Sequence, residues 1–351
     1  MTRATVDVPR GSRVVTLRVA AVIEETADAR SLVFDVPAEA AERFAYRPGQ
    51  FLTLRIPSER PEPVARCYSL ASSPFTDDRP QVTIKRTAAG YGSNWLCDNV
   101  SVGDTLDVLP PQGTFTPASL DTDLLLWAAG SGITPVMSIL RSALASGTGR
   151  VVLFYANRDP ESVIFAAALR ELAARHPGRV QVVHWLESLQ GLPTAAQLAR
   201  FADPYAGFES FVCGPGPFMA AVTEALSGAG WPRERITTEV FVSLSGDPFA
   251  DPEPITADDT GEAAEVEVEL DGAVHALRWP KSRTLVDVML ADGLDVPYSC
   301  REGECGSCAC TVVAGEVSMP GSTVLDQEDI DAGYTLACQA RPASDTVRIR
   351  F

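Results

Sequence analysis

The 351 residues carry 46 acidic against 29 basic side chains, a net charge of −17 that argues against nucleic acid as a partner. The length suggests two or three domains, each able to bury a core. No apolar run approaches membrane-spanning length and Met1-Thr2-Arg3-Ala4-Thr5 lacks an apolar export core, so a cytoplasmic protein off the membrane is expected. The charge is uneven: Asp251 to Phe351 holds 20 Asp and Glu against 7 Lys and Arg, a net of −13. That excess either steers a basic partner into a fast encounter or forms a solvated face that keeps the chain soluble.

Residues 1–118 read as short β-strands, with β-rich runs starting at Val14, Ser31, Gln50 and Gln81 and separated by turns such as Arg47-Pro48-Gly49. Closely spaced strands of this kind predict an antiparallel barrel. Within it lies Arg66-Cys67-Tyr68-Ser69. A guanidinium, a phenol and a hydroxyl at this spacing suit a flavin: one for a phosphate, one to lie on the isoalloxazine, one to hydrogen-bond its N5. Downstream, Gly90-Tyr91-Gly92-Ser93 opens a predicted helix whose first amides suit a pyrophosphate, although the glycines alone also fit an ordinary turn.

From 121 to 244 the pattern alternates. Apolar strand-like runs start at Leu124, Val151, Val180 and Ser210, with helical stretches between them, for instance Glu161 to Arg175. This predicts an α/β domain with a parallel sheet and helices on both faces. Gly130-Ser131-Gly132-Ile133-Thr134-Pro135 follows the first strand and precedes a helix, which suits close backbone approach to a nucleotide, though it is not the G-x-G-x-x-G fingerprint. Cys213-Gly214-Pro215-Gly216 ends a later strand, where a nicotinamide is expected, while Cys213 in isolation also reads as a buried strand residue.

Residues 245–262, rich in Asp, Pro, Gly and Thr, read as a linker. Glu265-Val266-Glu267-Val268-Glu269-Leu270 alternates strictly and starts a small domain over 263–351. There Cys300, Cys305 and Cys308 read C-x4-C-x2-C, and Cys338 follows after 29 residues. This is the spacing of a plant-type 2Fe–2S centre. A zinc site would show paired knuckles or histidines, and a disulfide framework belongs to small secreted chains. Small residues (Gly303, Gly306, Ser307, Ala309) let the backbone wrap closely and aim N–H groups at sulfur. Cys310 is left over and reads as a buried strand residue.

Arg66-x-Tyr68-Ser69, Gly130-Ser-Gly-Ile-Thr-Pro and Cys213-Gly-Pro-Gly-Pro-Phe-Met, in this order, resemble the ferredoxin–NADP reductase superfamily, and the cysteine segment resembles a plant-type β-grasp ferredoxin. The combination looks like the reductase component of a multicomponent oxygenase. His184 to Pro193 and Glu239 to Phe249 are similar to reductase components of 3-ketosteroid 9α-hydroxylases, while reductases for phenylacetyl-CoA oxygenation share the order. The resemblance implies that Arg66, Tyr68 and Ser69 hold the flavin, with Gly92 and Ser93 at its pyrophosphate. Gly130, Thr134, Cys213, Gly214, Pro215 and Phe218 would line the nucleotide site, and Glu239 and Phe241 would close the pocket near the flavin ring. Ser69, Cys213 and Glu239 would be the catalytic side chains, and Cys300, Cys305, Cys308 and Cys338 the cluster ligands.

The Gly92-Ser93 pair favours FAD, with FMN as the alternative. Arg158 either reads a 2′-phosphate or covers an adenine, and the resemblance leans to NADH without excluding NADPH. The expected path runs from NADH through FAD and the 2Fe–2S cluster to a terminal oxygenase, of Rieske type by the same resemblance. No general acid or base is needed on it, so His176, His184 and His275 take core or surface duty. A reading from another class is a redox sensor or docking module in which the cluster signals rather than turns over.

Overall fold

The computed structural model describes residues 13–58, 64–250, 261–320, 322 and 324–351. The chain divides into two compact units, one made of Thr16–Ile56 with Arg66–Phe241, the other built on Val242–Phe351. Among the described residues no helix is long and apolar enough to cross a membrane.

The first unit opens with strands β1 (Val15–Thr26), β2 (Ala29–Asp35), β3 (Phe51–Ile56), β4 (Val64–Ser69) and β5 (Gln81–Lys85), then helix α1 (Tyr91–Asn99) and strand β6 (Thr105–Gln112). They form one sheet in the order β4-β3-β6-β1-β2-β5. The two outer strands meet where Leu70 bridges Val82 and Ala71 N–H donates to Gln81 O at 2.8 Å, so the antiparallel sheet curls into the expected barrel. Leu17, Val19, Leu32, Phe34, Leu52, Leu54 and Val82 fill its interior, each below 2 % exposure.

The same unit continues with β7 (Leu124–Ala129), α2 (Ile133–Ser146), β8 (Val151–Asn157), α3 (Ala166–Arg175), β9 (Val180–Leu186), the short α4 (Glu187–Gln190), α5 (Ala195–Ala202), β10 (Glu209–Cys213), α6 (Gly216–Gly228) and β11 (Ile236–Glu239). The sheet order is β11-β10-β7-β8-β9, and every pairing is parallel. Leu124-Leu-Leu-Trp-Ala-Ala is buried throughout because both faces are covered. Leu124, Leu126 and Ala128 pack with α2 and α3, whereas Leu125, Trp127 and Ala129 pack with α5 and α6. Burying side chains of this size stabilises by roughly 1.5–3 kcal/mol each. Trp127 spends its one donor on Ser210 Oγ at 3.1 Å. Two buried hydroxyl contacts join α2 to the barrel, Ser138 to Ser72 O at 2.6 Å and Ser142 to Ser73 at 2.8 Å.

The helix expected from Glu161 is interrupted. A 3-10 turn over Pro160–Ser162 is capped by Asp159, and α3 begins only at Ala166, after Phe165 adopts a left-handed conformation at φ 61°. Val163, Ile164 and Phe165 turn inward to the core, and that burial overrides the helical periodicity. Strand β11 has no counterpart in the sequence-based expectation. It is four residues long, with no residue of Ile236–Glu239 fully buried, so it lacks an apolar run.

In the second unit, β12 (Ala263–Leu270), β13 (Ala273–Pro280), helix α7 (Leu285–Ala291), β14 (Ala309–Ala314), β15 (Val317–Ser318), helix α8 (Gln327–Asp331), β16 (Tyr334–Leu336), β17 (Arg341–Pro342) and β18 (Thr346–Arg350) follow in turn. The main sheet runs β13-β12-β18-β14-β16, with β12 and β18 parallel and the other pairs antiparallel; β15 pairs with β17. Ala264, Val266, Val268 and Leu270 point inward while Glu265, Glu267 and Glu269 face out, as the alternation predicts. Val266, Val268 and Leu270 form one cluster with Trp279, Leu285, Met289 and Ile349, so α7 packs on the sheet. Of the linker expected over 245–262, residues 251–260 lie outside the described residues, and 245–250 are held on the cysteine loop described below.

Candidate functional site

In the barrel, Arg66, Tyr68 and Ser69 lie on β4, beside the start of α1. A Cβ at Gly92 would stand 3.1 Å from Arg66 Cγ, so glycine lets the first turn of α1 lie flat against the guanidinium stem. The N-cap of α1, Gly90, supplies no side-chain cap, and Ser93 Oγ accepts from Thr87 N at 3.0 Å, closing the 87–93 loop. An uncapped helix start next to a guanidinium suits a diphosphate. Ser69 is buried and Tyr68 half-buried, and burial pushes the Tyr68 phenol up, so it stays neutral. These residues fit a flavin dinucleotide.

Further along the same unit, a 440 Å³ cavity lies between the carboxyl ends of β7 and β8 and the start of α6. Gly130, Pro215 and Phe218 line it, together with Lys85, Asn157, Arg158, Trp185, Glu187 and Pro217. Trp185, Pro217 and Phe218 supply flat apolar walls. Asn157 is 7 % exposed and sets its amide in the cavity wall beside Tyr155, whose hydroxyl donates to Gly130 O at 3.1 Å. An amide placed there offers both a donor and an acceptor to a polar ligand. Arg158 is engaged by Asp159 at 2.9 Å.

Gly132, Thr134, Cys213 and Gly214 are placed differently. They join the two βα crossings rather than line the cavity. A Cβ at Gly132 would fall 2.2 Å from Cys213 O, so this turn packs directly on the end of β10. Thr134 is buried and donates its hydroxyl to Ser131 O at 3.1 Å. Cys213 is 1 % exposed and pairs in register with Glu239 on β11. Burial, and then the adjacent Glu239, push the Cys213 thiol well up, while burial pushes Glu239 to about 8. Glu239 therefore carries its proton at neutral pH. Phe241, two residues on, is 48 % exposed.

The four cysteines gather on the loop between α7 and β14 and just after β16. Cys300, Cys308 and Cys338 are buried, and Cys305 is half-buried. Cys300 lies against Cys305 and Cys338, and Cys338 against Cys308, so the four thiols form one contiguous group. Four thiols gathered at this spacing fit a 2Fe–2S cluster. Backbone N–H groups reach the sulfurs, Glu302 N to Cys300 at 3.4 Å and Cys338 N to Cys308 at 3.5 Å, and Gln339 Nε2 stands 3.6 Å from Cys338. Gly303 and Gly306 adopt φ 80° and 69°, the left-handed turns the wrap requires. Cys310 points away on β14, its thiol toward Thr335 O.

Sequence reasoning missed several residues at these sites. Lys85, Asn157, Trp185 and Glu187 line the cavity from strand ends or just beyond them, where the residue type alone carries no pattern; the sheet topology is the signal that finds them. Arg301, at φ 59°, is held by an ion pair with Asp287 and lies 5.8 Å from the Tyr298 ring. Arg13 pairs with Asp295 at 2.8 Å, donates to Val296 O at 2.7 Å and covers the same ring at 5.1 Å.

Models of three families match the chain: an oxidoreductase FAD-binding domain over residues 16–116, an oxidoreductase NAD-binding domain over 126–224, and a 2Fe-2S iron–sulfur cluster binding domain over 268–343. The chain is 66 % identical over 349 residues to the ferredoxin reductase component of 3-ketosteroid-9-alpha-monooxygenase from Rhodococcus rhodochrous, covering 99 % of each. It is 32 % identical to a subunit of 1,2-phenylacetyl-CoA epoxidase from Escherichia coli, covering 95 % of this chain and 97 % of that one. Among solved structures, phthalate dioxygenase reductase matches at 24 % identity and TM-score 0.57, over 96 % of this chain and 98 % of that one, which supports the fold. The cofactors are FAD, a nicotinamide nucleotide and a 2Fe–2S cluster, and the chain belongs to the family of electron-transfer reductases, exemplified by the ferredoxin reductase components of 3-ketosteroid-9-alpha-monooxygenases, that carry these three domains in this order.

Proposed function

We propose that this chain accepts hydride from NADH in the cytoplasm and delivers electrons singly to a Rieske-type terminal oxygenase that hydroxylates 3-ketosteroids at C9. Residues 1–118 bind FAD, 121–244 the nicotinamide nucleotide and 263–351 the cluster. The observation that carries the reading is the cavity at Asn157, whose buried amide and flat apolar walls suit an adenosine on the same unit as the Arg66–Gly92 cradle. The steroid and the partner rest on the names borne by relatives that are 55–66 % identical along nearly their whole length.

When bound, the flavin supplies the conversion of a two-electron hydride into single electrons, and the cluster a one-electron carrier at about −400 mV. The chain's own residues orient and exclude. Arg66 and the first amides of α1 hold the diphosphate, while Tyr68 and Ser69 fix the ring from β4. Cys213 and Glu239 close the end of β10, and the proton Glu239 keeps at neutral pH spares the buried site an unpaired negative charge. Cys300, Cys305, Cys308 and Cys338 ligate the iron. The preference for NADH follows from charge: Asp159 already holds Arg158, and Glu187 stands in the same wall, so a 2′-phosphate meets carboxylates and no free guanidinium.

The test mixes the protein anaerobically with NADH, a ketosteroid 9α-oxygenase and a 3-ketosteroid, then admits oxygen. Hydroxylated steroid in proportion to NADH consumed is the expected result. NADH consumed without steroid product moves the partner to another oxygenase, the phenylacetyl-CoA type first. Cys305→Ser is expected to abolish cytochrome c reduction while sparing flavin-driven ferricyanide reduction, and equal loss of both would sink the electron path.

A further inference from the structure

Gln339 directly follows Cys338, and its side chain crosses the other cysteine-bearing segment. Its backbone N–H donates to Leu336 O at 2.8 Å, which pins the turn after β16. From there the side chain lies over Gly303, where a Cβ would stand 3.1 Å from Gln339 Cγ. The amide nitrogen ends 3.0 Å from Arg301 O, 2.9 Å from Cys338 O and 3.6 Å from Cys338 Sγ. All three neighbours accept hydrogen bonds, so the nitrogen of the amide faces them and not its oxygen. Glu302 N and Cys338 N, which also reach ligand sulfurs, are backbone groups that almost any residue would supply. The donor of Gln339 depends on its side chain alone.

We propose that Gln339 is a positioning residue for electron transfer: it ties the Cys300–Cys308 loop to Cys338 and, as a donor to the Cys338 sulfur, raises the reduction potential of the cluster. The inference rests on the reading of Cys338 as a cluster ligand. The Gln339 amide has two hydrogens for three acceptors. Iron binding displaces the thiol proton, and a thiolate accepts more strongly than a neutral thiol, so the sulfur competes better for one of them. Reduction adds one negative charge to the cluster and its ligands. A donor aimed at a ligand sulfur stabilises that charge more than it stabilises the oxidised state, which moves the potential upward. The bond to Arg301 O meanwhile supports a residue at φ 59°, a conformation that side-chain-bearing residues seldom adopt. The consequence for the reaction has a direction. The donor makes the cluster an easier acceptor for an electron from the flavin and reduces the driving force toward the next acceptor.

The experiment uses the holoprotein and a dye-mediated redox titration followed by EPR, which needs neither NADH nor an oxygenase. Gln339→Met keeps the length of the side chain and removes the donor. Its potential is expected to fall by at least the equivalent of an about threefold loss in the equilibrium constant for reduction, about 28 mV for one electron at ~59 mV per tenfold. Gln339→Glu keeps the shape but sets an acceptor and a charge beside the sulfur, and its potential is expected to fall further. Pulsed EPR of the reduced wild-type protein, grown with side-chain 15N-glutamine, is expected to show a 15N coupling that Gln339→Met lacks. Gln327, the other glutamine from Ser245 onward, is bonded to Asp331 at 2.8 Å. An unmoved potential in Gln339→Met overturns the proposal, as does a wild-type spectrum without the coupling; should neither variant retain its cluster, the wild-type coupling decides. A wild-type protein with no two-iron signal on reduction overturns the cluster reading and the proposal together, whereas a two-iron signal with an unmoved potential overturns the proposal alone.

Discussion

At the scale of single residues, Glu239 shows how a fold sets a proton. Its pKa in the folded chain is about 8, above its ordinary carboxylate value of 4.5, because burial penalises the charge. The folded state therefore binds more protons than the unfolded one between those values, and stability falls as pH rises from about 4.5 to about 8. Glu239→Gln is expected to remove that slope, at most about 1.4 kcal/mol per pH unit, in urea melts of the apoprotein across the window. A variant melting with the wild-type slope would place the titration elsewhere. Gly132 makes the opposite kind of demand, for space rather than charge. Gly132→Ala sets a Cβ 2.2 Å from Cys213 O, backbone that cannot swing aside, and is expected to cost about 1–3 kcal/mol in the same assay.

At the scale of elements, the 3-10 turn after β8 joins a cap to a charge. Asp159 accepts from Ser162 N at 2.8 Å and holds Arg158 at 2.9 Å. Asp159→Ala is expected to lose about 1 kcal/mol of capping and to raise the ratio of NADPH to NADH turnover, since it frees Arg158 for a 2′-phosphate; a lower melting point with an unchanged ratio would separate the two roles. The turn also marks where the sequence stops being readable. Continuous apolar runs such as Leu124 to Ala129 announce parallel strands because burial on both faces is a local property of composition. The break at Val163–Phe165 is not local: those residues leave a helical pattern because the core has room for them. Likewise the cysteine spacing, Arg66 and Gly92 are visible in the chain, whereas Asn157, Trp185 and Glu187 meet only when the sheet aligns the ends of β8 and β9. Ser245 and Glu302 were invisible for a related reason. A polar, Pro- and Gly-rich stretch has the composition of a linker whether or not a carboxylate 57 residues away binds its backbone.

At the scale of the whole molecule, charge is distributed by unit, with 13 of the 17 net negative charges falling from Asp251 onward. Reduction of cytochrome c, a basic acceptor, is expected to slow as salt rises from about 10 mM to about 500 mM, because the Debye length shrinks from about 30 Å to a few ångströms. Ferricyanide, an anion, should respond in the opposite direction, and parallel responses would show that the acidic surface is not what the acceptor meets. One contact also orders events in time. Arg13 bonds Val296 and Tyr298, 283 and 285 residues further along the chain. At roughly 5–20 residues per second, its partners leave the ribosome about 15–60 s after it does. Arg13 thus waits for partners made long after it, and the cysteine-bearing unit does not complete its packing from residues 242–351 alone. Arg13→Ala should therefore be felt as poorer iron retention rather than poorer flavin binding.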